Sequence, residues 1–142
     1  IEEDLKKLYD EGKKAFGFYC GKGEWFLLTL KNIDIMSQML PNVSKASQSL
    51  DVSVLHTLIL EKIFGIDKEN MAKQINLTYT KFFTEAIDGV DKGEFQCSFV
   101  LNPTRVTEIR DVAAAGEKMP QKSTYFYPKM ITGMVMNNLG VD

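Results

Sequence analysis

Apolar positions along this chain recur with either a helical or an alternating period, and glycine and proline punctuate the changes. Residues 2–11 (Glu2 to Glu11) are good helix formers, and Gly12 stands where a helix C-terminus favours a left-handed residue. Phe16, Phe18 and Cys20 then share one parity. After Gly21-Lys22-Gly23, Phe26, Leu28 and Leu30 continue the alternation. This predicts a β-hairpin of Ala15–Cys20 with Trp25–Lys31. Ile33, Ile35, Met36, Met39 and Leu40 suggest a short helical turn before Pro41, and the polar stretch Asn42 to Ser49 reads as a loop.

The strongest helix signal opens at Asp51. Its carboxylate is expected to cap the first turn, with Leu50 and Leu55 as a hydrophobic staple. Val52, Leu55, Leu58, Ile59 and Ile63 form the expected apolar stripe, and Gly65 ends it. Residues 66–74 read as a polar connection to an alternating strand at Ile75, Leu77 and Tyr79. A helix from Lys81 carries Phe83, Ala86, Ile87 and Val90, and Gly93 stops it. Glu94 to Leu101 alternates again, and this strand–helix–strand order fits either a right-handed parallel crossover or an antiparallel return. Asn102-Pro103-Thr104 leads into a third helix with Val106, Ile109, Val112 and Ala113 inward, ended by Gly116. Ile131 to Met136 is the last strand candidate. The expected fold class is therefore α+β: a mixed or mainly antiparallel sheet of about four to five strands with three to four helices.

Length changes this picture little, because 142 residues suit a single domain over 1–142. The chain opens at Ile1 without an initiator Met, and we expect it to be the C-terminal fragment of a longer protein. Seventeen basic against nineteen acidic residues give a net charge of −2, which offers no attraction to nucleic acid or an anionic membrane. No apolar run approaches the length of a membrane span, and the expected setting is the cytoplasm. Cys20 and Cys97 form no CxxC pair and have a single His in the whole chain for company, so no metal site is expected. Both are read as reduced, buried thiols, a disulfide being the lesser alternative.

Candidate chemistry concentrates in Lys118 to Lys129, KMPQKSTYFYPK, which holds three lysines and no acid. Fixed by Pro120 and Pro128, it could present ammonium and hydroxyl donors to a phosphate or carboxylate. Lys122, Ser123, Thr124, Tyr125, Tyr127 and Lys129 are the substrate-binding candidates. The competing reading is a solvated loop with its aromatics in the core. His56 shares the expected face of Val52, Ile59 and Ile63, and reads as a packed, hydrogen-bonded core histidine rather than a general base. No catalytic residue can be assigned. Glu2/Glu3 and Glu85/Asp88 read as solvated helix exteriors, and Phe82/Phe83 with Met130, Met134 and Met136 as core or interface filler.

Three stretches together carry a family resemblance: Leu50-Asp51-Val52-Ser53-Val54-Leu55-His56, then Leu101-Asn102-Pro103-Thr104, then Gly116 to Lys129. With the hairpin segment FGFYCGKGEWFLLTLK, they resemble the C-terminal part of the prokaryotic domain-of-unknown-function family numbered ten-fifteen. Members of that family are far longer. Their N-terminal part carries an Asp-Gly-His-His-Arg stretch, similar to one in ParB-like nucleotide-using proteins that include free-serine kinases, and members are often encoded beside serine-biosynthesis enzymes. The resemblance implies a C-terminal domain of a small-molecule enzyme that binds a phosphorylated substrate or nucleotide in serine metabolism, at most a contributing domain of a phosphotransferase-like enzyme. Any nucleotide cofactor would enter through the missing N-terminal domain, which is also the expected partner, beside a second subunit in a homo-oligomer. The alternative is a non-catalytic scaffold or dimerisation module built on the Tyr-, Phe- and Met-rich C-terminal third.

Overall fold

The computed structural model describes residues 1–125. In chain order these form α1 (Glu2–Asp10), β1 (Ala15–Tyr19), β2 (Trp25–Thr29), α2 (Ile35–Met39), α3 (Lys45–Gln48) and α4 (Asp51–Val54). A π-helix (Leu55–Glu61) continues α4, followed by α5 (Lys68–Lys73), α6 (Phe83–Asp91), β3 (Ser98–Val100) and α7 (Val106–Ala114). The fold is α+β, with a three-stranded antiparallel sheet in the order β2-β1-β3.

The hairpin forms where the alternation placed it, with Ala15 opposite Thr29 and Tyr19 opposite Trp25. Its turn needs left-handed backbone three times running: Gly21 at φ +94, Lys22 at +56 and Gly23 at +76. Two of the three are glycines, which adopt that region at no steric cost. The turn is tied to the end of α6, since Tyr19 Oη donates to Asp91 Oδ1 at 2.7 Å and the Gly23 N–H donates to Tyr19 Oη at 3.1 Å.

Each face of the sheet packs against helices over β1, while Phe26 and Leu27 of the edge strand β2 stay 50% and 40% exposed. On one, Phe16, Leu28, Leu30, Phe99 and Leu101 pack with Met36, Val54, Leu55, Leu60 and Met71 to make the main core. On the other, α1 lies close over Gly17, where an added Cβ would meet Ile1 Cγ1 at 3.1 Å and Trp25 Cζ3 at 3.3 Å. Trp25 stacks nearly parallel on Phe83 of α6, with centroids 5.6 Å apart.

Several expectations from the sequence are corrected. Ile75, Leu77 and Tyr79 form no strand, because Gln74 and Asn76 both adopt positive φ and reverse the chain there. With that strand goes the parallel crossover: β3 pairs antiparallel with β1 and is only three residues long. The described residues hold three strands and seven α-helices, against the expected four to five and three to four; Ile131 to Met136 lies outside them. Two of the extra helices arise in stretches read as loops. Ser44 caps α3 by accepting from the Ser47 N–H at 3.2 Å, and Asp67 caps α5 by accepting from the Asn70 N–H at 2.8 Å. Asp51, by contrast, caps nothing. It is the first residue of α4, its side chain makes no cap bond, and Leu50 precedes it as N-cap.

Candidate functional site

The helix that begins at Asp51 changes its hydrogen-bond spacing after Val54. The Phe64 N–H reaches back five residues to Ile59 O at 3.0 Å. Widening the turn re-aims every side chain that follows. Ile63, expected inside, is 73% exposed, whereas Thr57 is 6% exposed; Ser53, just before the change, is 7% exposed. Such π segments are rare and recur at functional sites.

Ser53, His56 and Thr57 stand three and four positions apart, the spacing of neighbours on one helix face. All three line a cavity of about 460 Å³, a size usual for small-molecule sites. Leu40, Val43 and Ser47 supply one wall, and Met71, Ala72 and Tyr79 another. The chain from Glu117 to Gln121 closes a third side with Glu117, Lys118, Pro120 and Gln121, while Glu61 and Lys68 complete the lining. His56 meets the Tyr79 ring edge-on at 6.3 Å. Among the described residues, none of the Ser53, His56 and Thr57 side chains has a hydrogen-bond partner. Burial holds the His56 imidazole below its ordinary pKa, which keeps it neutral and able to both donate and accept. His56 is thus packed, as expected from the sequence, but the expected hydrogen bond is missing among the described residues.

The Glu117 carboxylate is in the opposite condition. It accepts from the Ser44 N–H at 2.6 Å, from Ser44 Oγ at 2.8 Å and from Ser47 Oγ. The Ser47 and Ser44 hydroxyls and the Ser44 N–H hold its pKa below the usual range. These bonds fasten the third wall of the cavity to the start of α3.

The substrate-binding candidates read from the sequence fall elsewhere. Lys122 is exposed, with φ +61. Ser123 turns back on its own loop, Oγ donating to Pro120 O at 2.6 Å, and its carbonyl accepts from Thr104 Oγ1 at 2.9 Å. Thr124 is exposed, and Tyr125 Oη accepts from Lys81 Nζ at 2.8 Å. None of these four lines the cavity. Tyr127 and Lys129 lie outside the described residues. The same segment instead contributes Lys118, Pro120 and Gln121, which are not among the substrate-binding candidates read from the sequence. Ser53 and Thr57 are sites the sequence reading missed, although their spacing of three and four positions on one helix face, with His56 between them, is the signal that could have found them.

Among the described residues no group of three His, Cys, Asp or Glu side chains could hold a metal ion, and no helix is long and apolar enough to cross a membrane. No protein-family model, no curated protein and no solved structure matches the chain.

Proposed function

We propose that this domain binds a small phosphorylated molecule in the cavity beneath the π-helix, as the substrate-binding part of a small-molecule enzyme. The carrying observation is that the polar side chains of Ser53, His56 and Thr57 share one wall of the cavity and have no hydrogen-bond partner among the described residues. A ligand in the cavity could bond these groups directly, each such hydrogen bond contributing roughly 0.5–1.5 kcal/mol net. Lys68 and Lys118, exposed where they line the cavity, suit an anionic group, while Leu40, Met71 and Tyr79 suit an apolar or ring-shaped body. The family resemblance points to the same class, with serine metabolism as its setting.

The test is a thermal-shift screen of the chain against phosphoserine, serine, ATP, ADP and inorganic phosphate. A probe at one hundred times its dissociation constant raises stability by about 2.7 kcal/mol. The expected result is a shift from a phosphorylated probe that disappears in Ser53→Ala/Thr57→Val, weakens in Lys118→Ala and persists in Lys122→Ala. No shift from any probe, or a shift untouched by the cavity variants, overturns the reading.

A scaffold role remains the second reading, favoured by the exposed apolar side chains of Ile63, Phe64 and Ile75. Sedimentation across a concentration series decides it, since a strict monomer at every concentration argues against a dimerisation module.

A further inference from the structure

The two cysteines, distant in sequence, are set against each other by the sheet. β1 and β3 pair antiparallel with Gly17 opposite Val100, Phe18 opposite Phe99 and Tyr19 opposite Ser98. One more step in that register sets Cys20 against Cys97. The alternation of hydrogen bonds then fixes what kind of pair this is. The Cys20 N–H donates to Glu24 O at 3.3 Å, so the backbone of Cys20 faces the β2 side, as does that of Lys14, whose carbonyl accepts from the Leu30 N–H at 2.9 Å. The even-numbered positions of this strand are therefore committed to β2. Toward β3 they form the non-hydrogen-bonded pairs, whose Cα atoms stand about 4.5 Å apart with their side chains close. Phe18 and Phe99 show the consequence one pair earlier on the same face, with rings stacked at 4.9 Å.

A disulfide requires Cα atoms about 4.4–6.8 Å apart, a window that includes the spacing of a non-hydrogen-bonded antiparallel pair. We propose that Cys20 and Cys97 are a cross-strand dithiol that closes into a disulfide by exchange with a low-molecular-weight disulfide such as oxidised glutathione. Both thiols are free in this structure, Cys20 exposed and Cys97 half-buried. Burial raises the Cys97 thiol pKa, and the neighbouring Cys20 raises it further. These environments assign the roles. The Cys20 thiolate attacks glutathione disulfide, forming a mixed disulfide and expelling one glutathione thiolate. The Cys97 thiolate then attacks Cys20 Sγ, expels the second glutathione and completes the protein disulfide. Two protein thiols are oxidised, one glutathione disulfide is reduced to two thiols, and the protons released by the cysteines are taken up by the glutathione thiolates. The new bond would lock β3 to the end of β1 beside the hairpin turn, so the oxidised chain should melt at a higher temperature than the reduced one.

Incubation of the chain with oxidised glutathione, followed by mass spectrometry without reductant and peptide mapping, tests this. The wild type is expected to lose two hydrogens, retain no glutathione and yield a Cys20–Cys97 linked peptide. Cys97→Ser should retain one glutathione on Cys20, because the resolving thiol is gone, while Cys20→Ser should react far more slowly. Wild type that retains glutathione on Cys20, links between two chains, or melts lower once oxidised would overturn the proposal. Melting of the two reduced serine variants alongside the wild type confirms that they are folded before any of these outcomes is read.

Discussion

Two sets of buried polar groups lie on the same helix, one turn apart, and they are in opposite conditions. At its start, Asp51 is 8% exposed and its Oδ1 lies 2.8 Å from Lys14 Nζ, which also faces Glu108 at 3.8 Å. Glu108 accepts from Tyr9 Oη at 2.5 Å and from the Arg105 N–H at 2.8 Å, and Arg105 lies over the Tyr9 ring at 4.1 Å. Charge and hydrogen bonding there join α1, the start of β1, α4 and α7. A turn later, Ser53, His56 and Thr57 face a cavity with no partner among the described residues. The first set is built for the folded state itself. The second faces an open cavity, where a ligand can supply the partners.

The sharpest way to break the comparison is to remove the cation from the first set. Lys14→Met leaves the Asp51 and Glu108 carboxylates without their shared counter-ion, and a loss of about 3–5 kcal/mol is expected. Urea denaturation measures it; a loss below 1 kcal/mol would mean that water already screens the cluster.

Next in size is a pH effect of opposite sign in the two sets. Burial lowers the His56 pKa beneath its unfolded value of 6.5, so on acidification the unfolded chain takes up the proton first. Stability should therefore fall as the pH drops below about 6.5, until the lowered folded value is passed, and His56→Gln should flatten that limb. Asp51 behaves in reverse. Burial, outweighing Lys14, raises its pKa above 3.8, so its contribution favours the fold at acid pH and is lost as the pH rises through the raised value. Melting temperatures of the wild type and the two variants His56→Gln and Asp51→Asn across this range separate the two; parallel profiles would contradict the assignment.

The smallest effect is the most diagnostic. Thr57→Val removes a hydroxyl that bonds to nothing in the described protein, so the melting temperature should stay level or rise, within about 0.5 kcal/mol. A clear loss of stability would reveal a hydrogen bond there and close the site to a ligand.

Much of the local architecture could be read from the chain. The hairpin followed from parity and three turn residues, α1 from a run of helix formers ended by Gly12, and α6 and α7 from apolar spacing ended by glycines. The helices α3 and α5 were not read, because such short helices carry too few apolar repeats to show a period, and only their caps Ser44 and Asp67 mark them. The candidate site was less legible. Its anionic chemistry was sought in Lys122 and its neighbours, yet the chain folds so that Lys118 and Gln121 reach the cavity and Lys122 faces water. Nothing in a residue list distinguishes these positions, because a loop has no period from which to infer an inner face.

By itself, then, the sequence determined the α+β class, the hairpin and the helices that follow strong patterns, since these depend on contacts between near neighbours. The tertiary structure decided three further things. It turned the helix after Val54 into a wider coil and so chose which side chains face the cavity. It made Asp51 an ion-pair partner of Lys14 instead of a cap. It also set the register of β3 on β1, Phe18 opposite Phe99 and Tyr19 opposite Ser98, on which the proposed Cys20–Cys97 pair rests. Each of these depends on groups far apart in the chain, and no local pattern encodes which distant segment will supply the partner or leave it missing.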